Sequence, residues 1–345
     1  MNIVMIIPTG IGCEIGGHNG DATPVARMLG EVVDKIILHP NVVNASDINE
    51  MPENALYVEG SILDRFLAGG IGLQEVKRNK ILLVVNYDRA EIYNSVSAAR
   101  VTLGADIEIM KLNTKLKMFG DIVNGRATGS HSGVGALIDQ VKSEKFDALA
   151  ISSYVDISQK IRMNYYKNGG VNPWGYVEAM VSNMVANGIN KPVAHAPHEI
   201  IEDNEEMKLF WKAFNMKVDP RTAPEMVSAS YLHCVLKGLN KAPRIIGGWR
   251  SYGGCRAIWS HDIDYLVSPP CWGPPHEACL KNNIPIIFVE SNKNNTEFPL
   301  GVNDPMPEGT VMFNNYLEVA GVLAAEKSGT YWRSCIRPID KNIVR

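Results

Sequence analysis

No two of the six cysteines form a Cys-x-x-Cys pair; they stand apart at 13, 234, 255, 271, 279 and 335. A zinc ribbon and a thioredoxin-type redox motif are thereby excluded. No stretch approaches the roughly 18 apolar residues of a membrane span. The opening MNIVMIIPTG has neither the basic n-region nor the long apolar core of a secretory signal. There is no cationic surplus: 34 Lys+Arg face 37 Asp+Glu, for a net charge of −3, so nothing is left over to neutralise nucleic-acid phosphates. Disorder is excluded by the 46% of hydrophobic residues, and a collagen-like class by glycines and prolines without a strict period. These absences leave a soluble protein with reduced thiols, expected in the cytoplasm and without nucleic-acid or membrane partners.

What is present is an alternation of short apolar runs with helical patterns. Asn2–Ile7, Lys35–Leu38, Ile81–Val85, Ile107–Leu112, Ala148–Ile151, Pro192–Ala194, Arg244–Ile246, Tyr265–Val267 and Pro285–Val289 read as strands, most of them buried on both faces. Helices are expected from Thr23-Pro24, with Thr23 as cap, and over Ala90–Leu103, Gly133–Glu144, Pro173–Ala186, Glu202–Phe214, Ala223–Lys237 and Asn314–Glu326. Leu116–Thr128 reads as a hairpin turning at Asn124-Gly125, and is a candidate dimerisation arm. The fold class is therefore α/β, a mostly parallel sheet built of repeated βαβ units with helices on both faces, with two lobes as an option. Residues 1–145 would form an N-terminal lobe with the Gly-rich loop, 146–330 a C-terminal lobe, and 331–345 a basic tail. Residues 2–46, 148–202 and 264–292 share one strand–loop–helix–strand plan, which any α/β protein reuses.

In open α/β sheets, ligands bind beyond the carboxyl ends of the strands. Here those ends carry an unusual density of reactive side chains. Pro8–Pro24, PTGIGCEIGGHNGDATP, runs from the first strand into a helix and holds five glycines in 17 residues. Its backbone can approach a ligand closely, and a helix N-terminus favours an anion. Gly10, Gly12, Gly16, Gly17, His18, Asp21 and Thr23 are thus candidate substrate-binding residues. A dinucleotide fold does not fit, since Pro24 starts the helix well past the glycines, and no Gly-Lys-Ser/Thr completes a P-loop. A close-packed Ω-loop is the structural alternative.

Cys13, inside that loop, is a candidate nucleophile, because a thiol near a helix N-terminus has its pKa lowered. Cys271, in SPPCWGPPHEAC beside His276 and Glu277, is the second. Against both stands the ordinary role of a lone cysteine as a small buried apolar residue; Cys234, Cys279 and Cys335 read as packing residues. His195 and His198 are candidate acid–base groups. With Glu199 they are also a candidate metal site, although Pro197 forbids the helical zinc-protease motif. Arg250, between Gly247-Gly248 and Gly253-Gly254, is placed to fork onto a carboxylate or phosphate. Ser152 and Glu290 end strands and complete the substrate-binding set. Ser152 lies in no Gly-x-Ser-x-Gly elbow.

The run IIPTGIGCEIGGHNGDATPVARMLG, then HPNVVNASDINEMPENALYVEGSILDRFL, with PHEIIEDNEE and GGWRSYGGC, resembles an uncharacterised conserved family common in cyanobacteria, a domain of unknown function. The resemblance implies no activity and assigns no catalytic residue. The residues themselves point first to an enzyme acting on a small polar, anionic metabolite, as a Cys/His-dependent hydrolase of a C–N or amide bond. A cofactor-independent Cys13/Cys271 racemase or isomerase, a divalent-metal enzyme centred on His195 and His198, and a non-catalytic ligand-binding or assembly protein are the alternatives. No cofactor beyond that divalent metal is expected. The partners expected are the small substrate and further copies of the chain.

Overall fold

The computed structural model describes residues 1–17, 21–43, 51–198, 219, 231–247, 257–297 and 305–339. The first segment forms β1 (Asn2–Met5), α1 (Thr23–Glu31), β2 (Lys35–Leu38), β3 (Ala55–Tyr57), α2 (Gly60–Leu67) and β4 (Ile71–Gln74). The middle forms β5 (Lys80–Val85), α3 (Ala90–Leu103), β6 (Asp106–Lys111), β7 (Lys117–Val123), β8 (Arg126–Ser132), α4 (Val134–Val141), β9 (Ala148–Ser153), β10 (Val155–Asp156), α5 (Gln159–Asn168), α6 (Gly175–Ile189) and β11 (Val193–Pro197). The last segment forms α7 (Tyr231–Lys241), β12 (Arg244–Gly247), β13 (Tyr265–Ser268), α8 (Pro274–Asn282), β14 (Ile286–Val289), β15 (Val311–Phe313) and α9 (Tyr316–Lys327).

The apolar runs are strands because each buries both faces. Two parallel sheets result. One has the order β15-β14-β13-β1-β2-β3, the other β11-β9-β5-β6. In β1, Ile3 and Met5 point into an outer core with Leu29 of α1 and Val319 and Leu323 of α9. Val4 points the other way, into a central core with Ile62 and Phe66 of α2 and Cys279 of α8. The second sheet repeats this alternation. Ile81, Leu83 and Val85 meet α3 and α7 in an outer core. Leu82, Val84, Leu149 and Ile151 meet Val177, Val181 and Val185 of α6 in the central one. The fold is thus α/β with helices on both faces of each sheet, and α2, α4, α6 and α8 lie between the sheets. Each fully buried Leu, Ile or Val contributes about 1.5–3 kcal/mol, so this double-sided burial is the main stabilising term.

The first sheet takes strands from both ends of the chain, residues 2–57 and 265–313. A boundary at residue 145 cuts through the second sheet, separating β5 and β6 from β9 and β11. The lobe division expected from the sequence therefore does not follow the layers. The unassigned stretch before β5 holds β3, α2 and β4, elements too short for periodicity to signal. Thr23 begins α1 rather than capping it; the cap position is Ala22, with no side-chain cap hydrogen bond. The hairpin does turn at Asn124 (φ 51°) and Gly125 (φ 72°), the paired positive angles of a type I′ turn, with Val123 opposite Arg126. The helix expected over Glu202–Phe214 lies outside the described residues, as does the first part of Ala223–Lys237.

Candidate functional site

A cavity of about 440 Å³ opens where the carboxyl ends of β1, β2, β3 and β13 face β11 and α6 of the second sheet. This is where the strand-end rule places a ligand. The residues after β1 (Pro8, Thr9 and Ile11) form one side of it. The loop can lie against the start of α6 because residue 175 is glycine: a Cβ there would stand 1.9 Å from Thr9 Oγ1.

On the α6 wall three polar side chains form a chain. His195 Nε2 and Ser153 Oγ are 2.9 Å apart, and His195 Nδ1 and Glu178 Oε1 are 3.0 Å apart. Strand register explains the meeting. Ser153 pairs with Pro197 across β9 and β11, so Ser153 shares a face with His195, two residues earlier on β11. That face looks onto α6, where Glu178 sits in the first turn. The chain runs outward: Ser153 is wholly buried, the His195 side chain is 1% exposed and the Glu178 side chain 22%. Glu178, not His195, is the member that reaches the cavity most openly. Ser153 is also 3.3 Å from Met118 Sδ as a donor. With its hydrogen there, its oxygen accepts from Nε2–H; with its hydrogen on Nε2, Nδ1 carries the ring proton. In the second arrangement the neutral ring donates from Nδ1 to Glu178.

Across the cavity stand Glu59 and Asp64 of the first sheet's side. Burial pushes the Asp64 carboxyl up to about 6. His39 is held neutral: its Nε2 accepts the Ile7 N–H at 2.8 Å, and burial pushes it down to about 4. Asn41 donates to the Ile7 carbonyl at 2.7 Å, so His39 and Asn41 tie the end of β2 to the start of the loop. Trp174, tilted against Tyr166 at 5.8 Å, and Trp272, stacked on His276 at 5.4 Å, supply aromatic walls.

Cys271 and His276 also line the cavity. Their Sγ and Nε2 atoms are 4.0 Å apart, with Ser268 Oγ 2.9 Å from Nε2 and 3.6 Å from Sγ. Ser268 donates to the Pro269 carbonyl. Burial pushes the Cys271 thiol up to about 11 and the His276 ring down to about 4. As it stands, the pair is a neutral thiol beside a neutral imidazole and no activated nucleophile.

Other candidates fall elsewhere. Cys13 is 3% exposed in the outer core with Ile7, Leu38 and Tyr316, and does not line the cavity. The nucleophile assigned to it is corrected on that ground, and the Cys13/Cys271 pairing with it. The glycine loop holds its own chain. The amides of Glu14, Ile15 and Gly16 donate to the Lys293 carbonyl, to Asn292 Oδ1 and to Asp21 Oδ2, at 2.9, 2.8 and 2.7 Å. The anion at Gly16 is thus the protein's own Asp21. Gly10, Gly12, Gly16 and Gly17 all have positive φ, and a Cβ at Gly16 would meet Ile7 at 2.7 Å, so these glycines serve the loop's close packing. Thr23 is buried with no hydrogen-bond partner at Oγ1. Glu290 is exposed and outside the cavity lining.

Ser152 and His198, 3.2 Å apart, pair on the opposite face of the second sheet from Ser153 and His195. The pleat therefore separates the two histidines that a shared metal would need on one side. Among the described residues no group of three or more His, Cys, Asp or Glu is placed to hold a metal ion. His18, Glu199 and Arg250 lie outside the described residues, and no described Lys or Arg lines the cavity. The sequence missed Glu178 and Asp64, each of which reads as an ordinary helix carboxylate.

An α/β protein with a cleft between two parallel sheets is the class these features define. Residues 2–335 match the family described as "Protein of unknown function (DUF3326)", and the chain belongs to it. The chain is also similar to a protein of Synechococcus sp. named an uncharacterized lipoprotein, with 32% identity covering 94% of this chain and 90% of that relative. No solved structure matches. The relative's name overturns the cytoplasmic location expected above: a lipoprotein is held at a membrane by covalent lipid, which hydropathy does not register. Among the described residues no helix is long and apolar enough to cross a membrane.

Proposed function

We propose that the protein is a hydrolase of a C–N or amide bond in a small polar metabolite, working by general acid–base catalysis without a covalent intermediate. The observation that carries this reading is the buried chain Ser153–His195–Glu178, which delivers a held carboxylate to the cavity at the strand ends. Asp64, pushed up to about 6 on the same cavity, is the second group. Two carboxyls in unlike environments divide the roles of base and acid. Glu178 takes a proton from water, and the water oxygen bonds to the scissile carbon. Asp64 gives its proton to the departing nitrogen as the C–N bond breaks. Exchange with solvent then restores both groups. His195 positions Glu178. Cys271 stays a wall residue, since its raised pKa leaves little thiolate.

The test is incubation in H2 18O with a panel of small primary amides, amidines and ureido compounds. The expected result is ammonia release with one labelled oxygen in the product. The rate should fall about 10²–10⁴-fold in Glu178→Gln, the usual worth of a general base, and stay near wild type in Cys271→Ser. Retained turnover in Glu178→Gln with loss in Cys271→Ser would transfer the reaction to the cysteine. No ammonia from any member counts against hydrolysis.

A further inference from the structure

The cavity carries a carboxamide oxygen that nothing among the described residues satisfies. Asn183 lines it from α6, and its buried Oδ1 makes no hydrogen bond. An orphaned buried acceptor costs stability, so its presence at a cavity points to a ligand. The oxygen lies beside the start of α2: a Cβ on Gly60, the first residue of that helix, would stand 4.0 Å from it. Asp64, one turn further along α2, lines the same cavity. The terminal torsion of asparagine is soft, and its amide holds an acceptor and a donor side by side.

The surroundings define the rest of the ligand. Phe288, His276 and Trp272 form a pile of near-parallel rings, with 12° and 25° between neighbours. Phe288 is outside the cavity lining and the other two are in it, so the pile ends on the cavity and a flat ring can extend it. Here α8 starts, with Gly273, Pro274 and Pro275 in the lining. The prolines have no N–H, and the His276 and Glu277 amides both donate to the Gly273 carbonyl, so this helix start lacks the free first-turn amides that draw an anion. Nor do the carboxylates demand a cation: Glu178 is bonded to His195, and Glu59 has a partner of its own.

We infer that the cavity binds a flat, uncharged ligand by an amide edge with C=O and N–H on one side, as in a primary carboxamide, a lactam or a cyclic ureide. Asn183 is the specificity residue: Oδ1 accepts the N–H, and Nδ2 donates to the carbonyl. A trans secondary amide holds those two groups on opposite sides and meets only one end of Asn183. This names the substrate class for the hydrolase proposed above and rests on that placement of the site. It replaces the anionic ligand expected from the sequence.

The test holds the ring constant and varies the edge. Benzamide, N-methylbenzamide, benzoate and benzamidine are titrated against the full chain by calorimetry, with the thermal midpoint alongside. Benzamide is expected to bind about tenfold more tightly than N-methylbenzamide, which loses one hydrogen bond. Benzoate and benzamidine should be at least as weak, since one end of Asn183 then meets its like. Asn183→Leu should weaken benzamide to the level of N-methylbenzamide without lowering the midpoint of the ligand-free protein, because it removes an unpaired oxygen and no bond. A lowered midpoint with benzamide binding intact would make Asn183 structural and overturn the inference. Should that variant not fold, the edge series on wild type decides alone. Benzoate, benzamidine or N-methylbenzamide binding as tightly as benzamide overturns the inference, as does no binding of benzamide. Benzamide binding without ammonia release from any amide would remove the hydrolase and keep the edge assignment. Ammonia release from an amidine with benzamide unbound would do the reverse.

Discussion

Two serine–histidine pairs grow from the same two strands and lie in different surroundings. Ser153 and His195 face the layer between the sheets; Ser152 and His198 face the other way. The first pair meets Glu178, so its imidazole is bonded at both nitrogens and coupled to a carboxylate at a cavity. Among the described residues the second meets no acid. Burial first, then the charges of Arg89 and His195, push His198 down to about 4, and its Nε2 is buried without a partner. One residue of register separates a hydrogen-bonded chain ending on a carboxylate from a neutral packed histidine. The residue type is therefore a poor guide to function here, and the partner on the neighbouring helix decides.

The largest expected effect breaks that contrast directly. Glu178→Gln keeps size and removes the charge, so turnover should fall about 10²–10⁴-fold with the fold intact by circular dichroism. His198→Leu should leave turnover within about twofold, because that ring touches neither the cavity nor a carboxylate. Comparable losses in both variants would erase the distinction between the two faces.

Acid stability sharpens it next. His39, His198 and His276 are each held at about 4 against an ordinary 6.5. The unfolded chain takes up protons first, so their neutral burial is fully tolerated above pH 6.5. Stability is then lost as pH falls from 6.5 toward 4, by up to about 3 kcal/mol per ring. Asp64 carries the opposite sign. With its carboxyl raised to about 6, the folded state binds the extra proton between about 4 and 6. Its ionised burial therefore costs stability above pH 6, and that cost is relieved below it. Urea melts at pH 5 and pH 8 should show His198→Leu reducing the acid loss. Asp64→Asn should add about 2 kcal/mol at pH 8 and roughly half of that at pH 5, where the relief is incomplete. A stabilisation by Asp64→Asn that is equal at both values would mean its carboxyl titrates normally.

The sheets were legible in the sequence because a strand buried on both faces must be apolar throughout, as Ile81–Val85 is. The cavity's place was legible too: the strand-end rule led to His195 and Cys271 without any motif. The partners were not. Glu178 stands in a helix first turn, where an acid is ordinary, and only the β9–β11 register brings it to His195. Asp64 lies on a short helix whose apolar spacing marks the buried face but says nothing of the carboxyl. The glycine loop misled for a physical reason. Free amides and positive φ do attract an anion, and Asp21, five residues on from Gly16, supplies it from within. Cys13 was drawn along with that loop, although a thiol among Ile7, Leu38 and Tyr316 is a packing group.

The smallest effect concerns the inner end of the Ser153–His195–Glu178 chain. Met118, 1% exposed, offers the Ser153 hydroxyl an acceptor that competes with His195. Met118→Leu nearly conserves volume, so stability should change by less than about 1.5 kcal/mol. It removes the sulfur acceptor, leaving the Ser153 hydrogen to turn onto His195 Nε2 and fix the ring proton on Nδ1, toward Glu178. Nitrogen NMR of the ring should then show Nε2 as an acceptor, with turnover within about threefold because Glu178 is untouched. The Ser152–His198 pair provides the control, since its ring signals should not move. A shift of His198 instead of His195 would mean that the two faces communicate through the serines, and the separation of one chain from the other would fail.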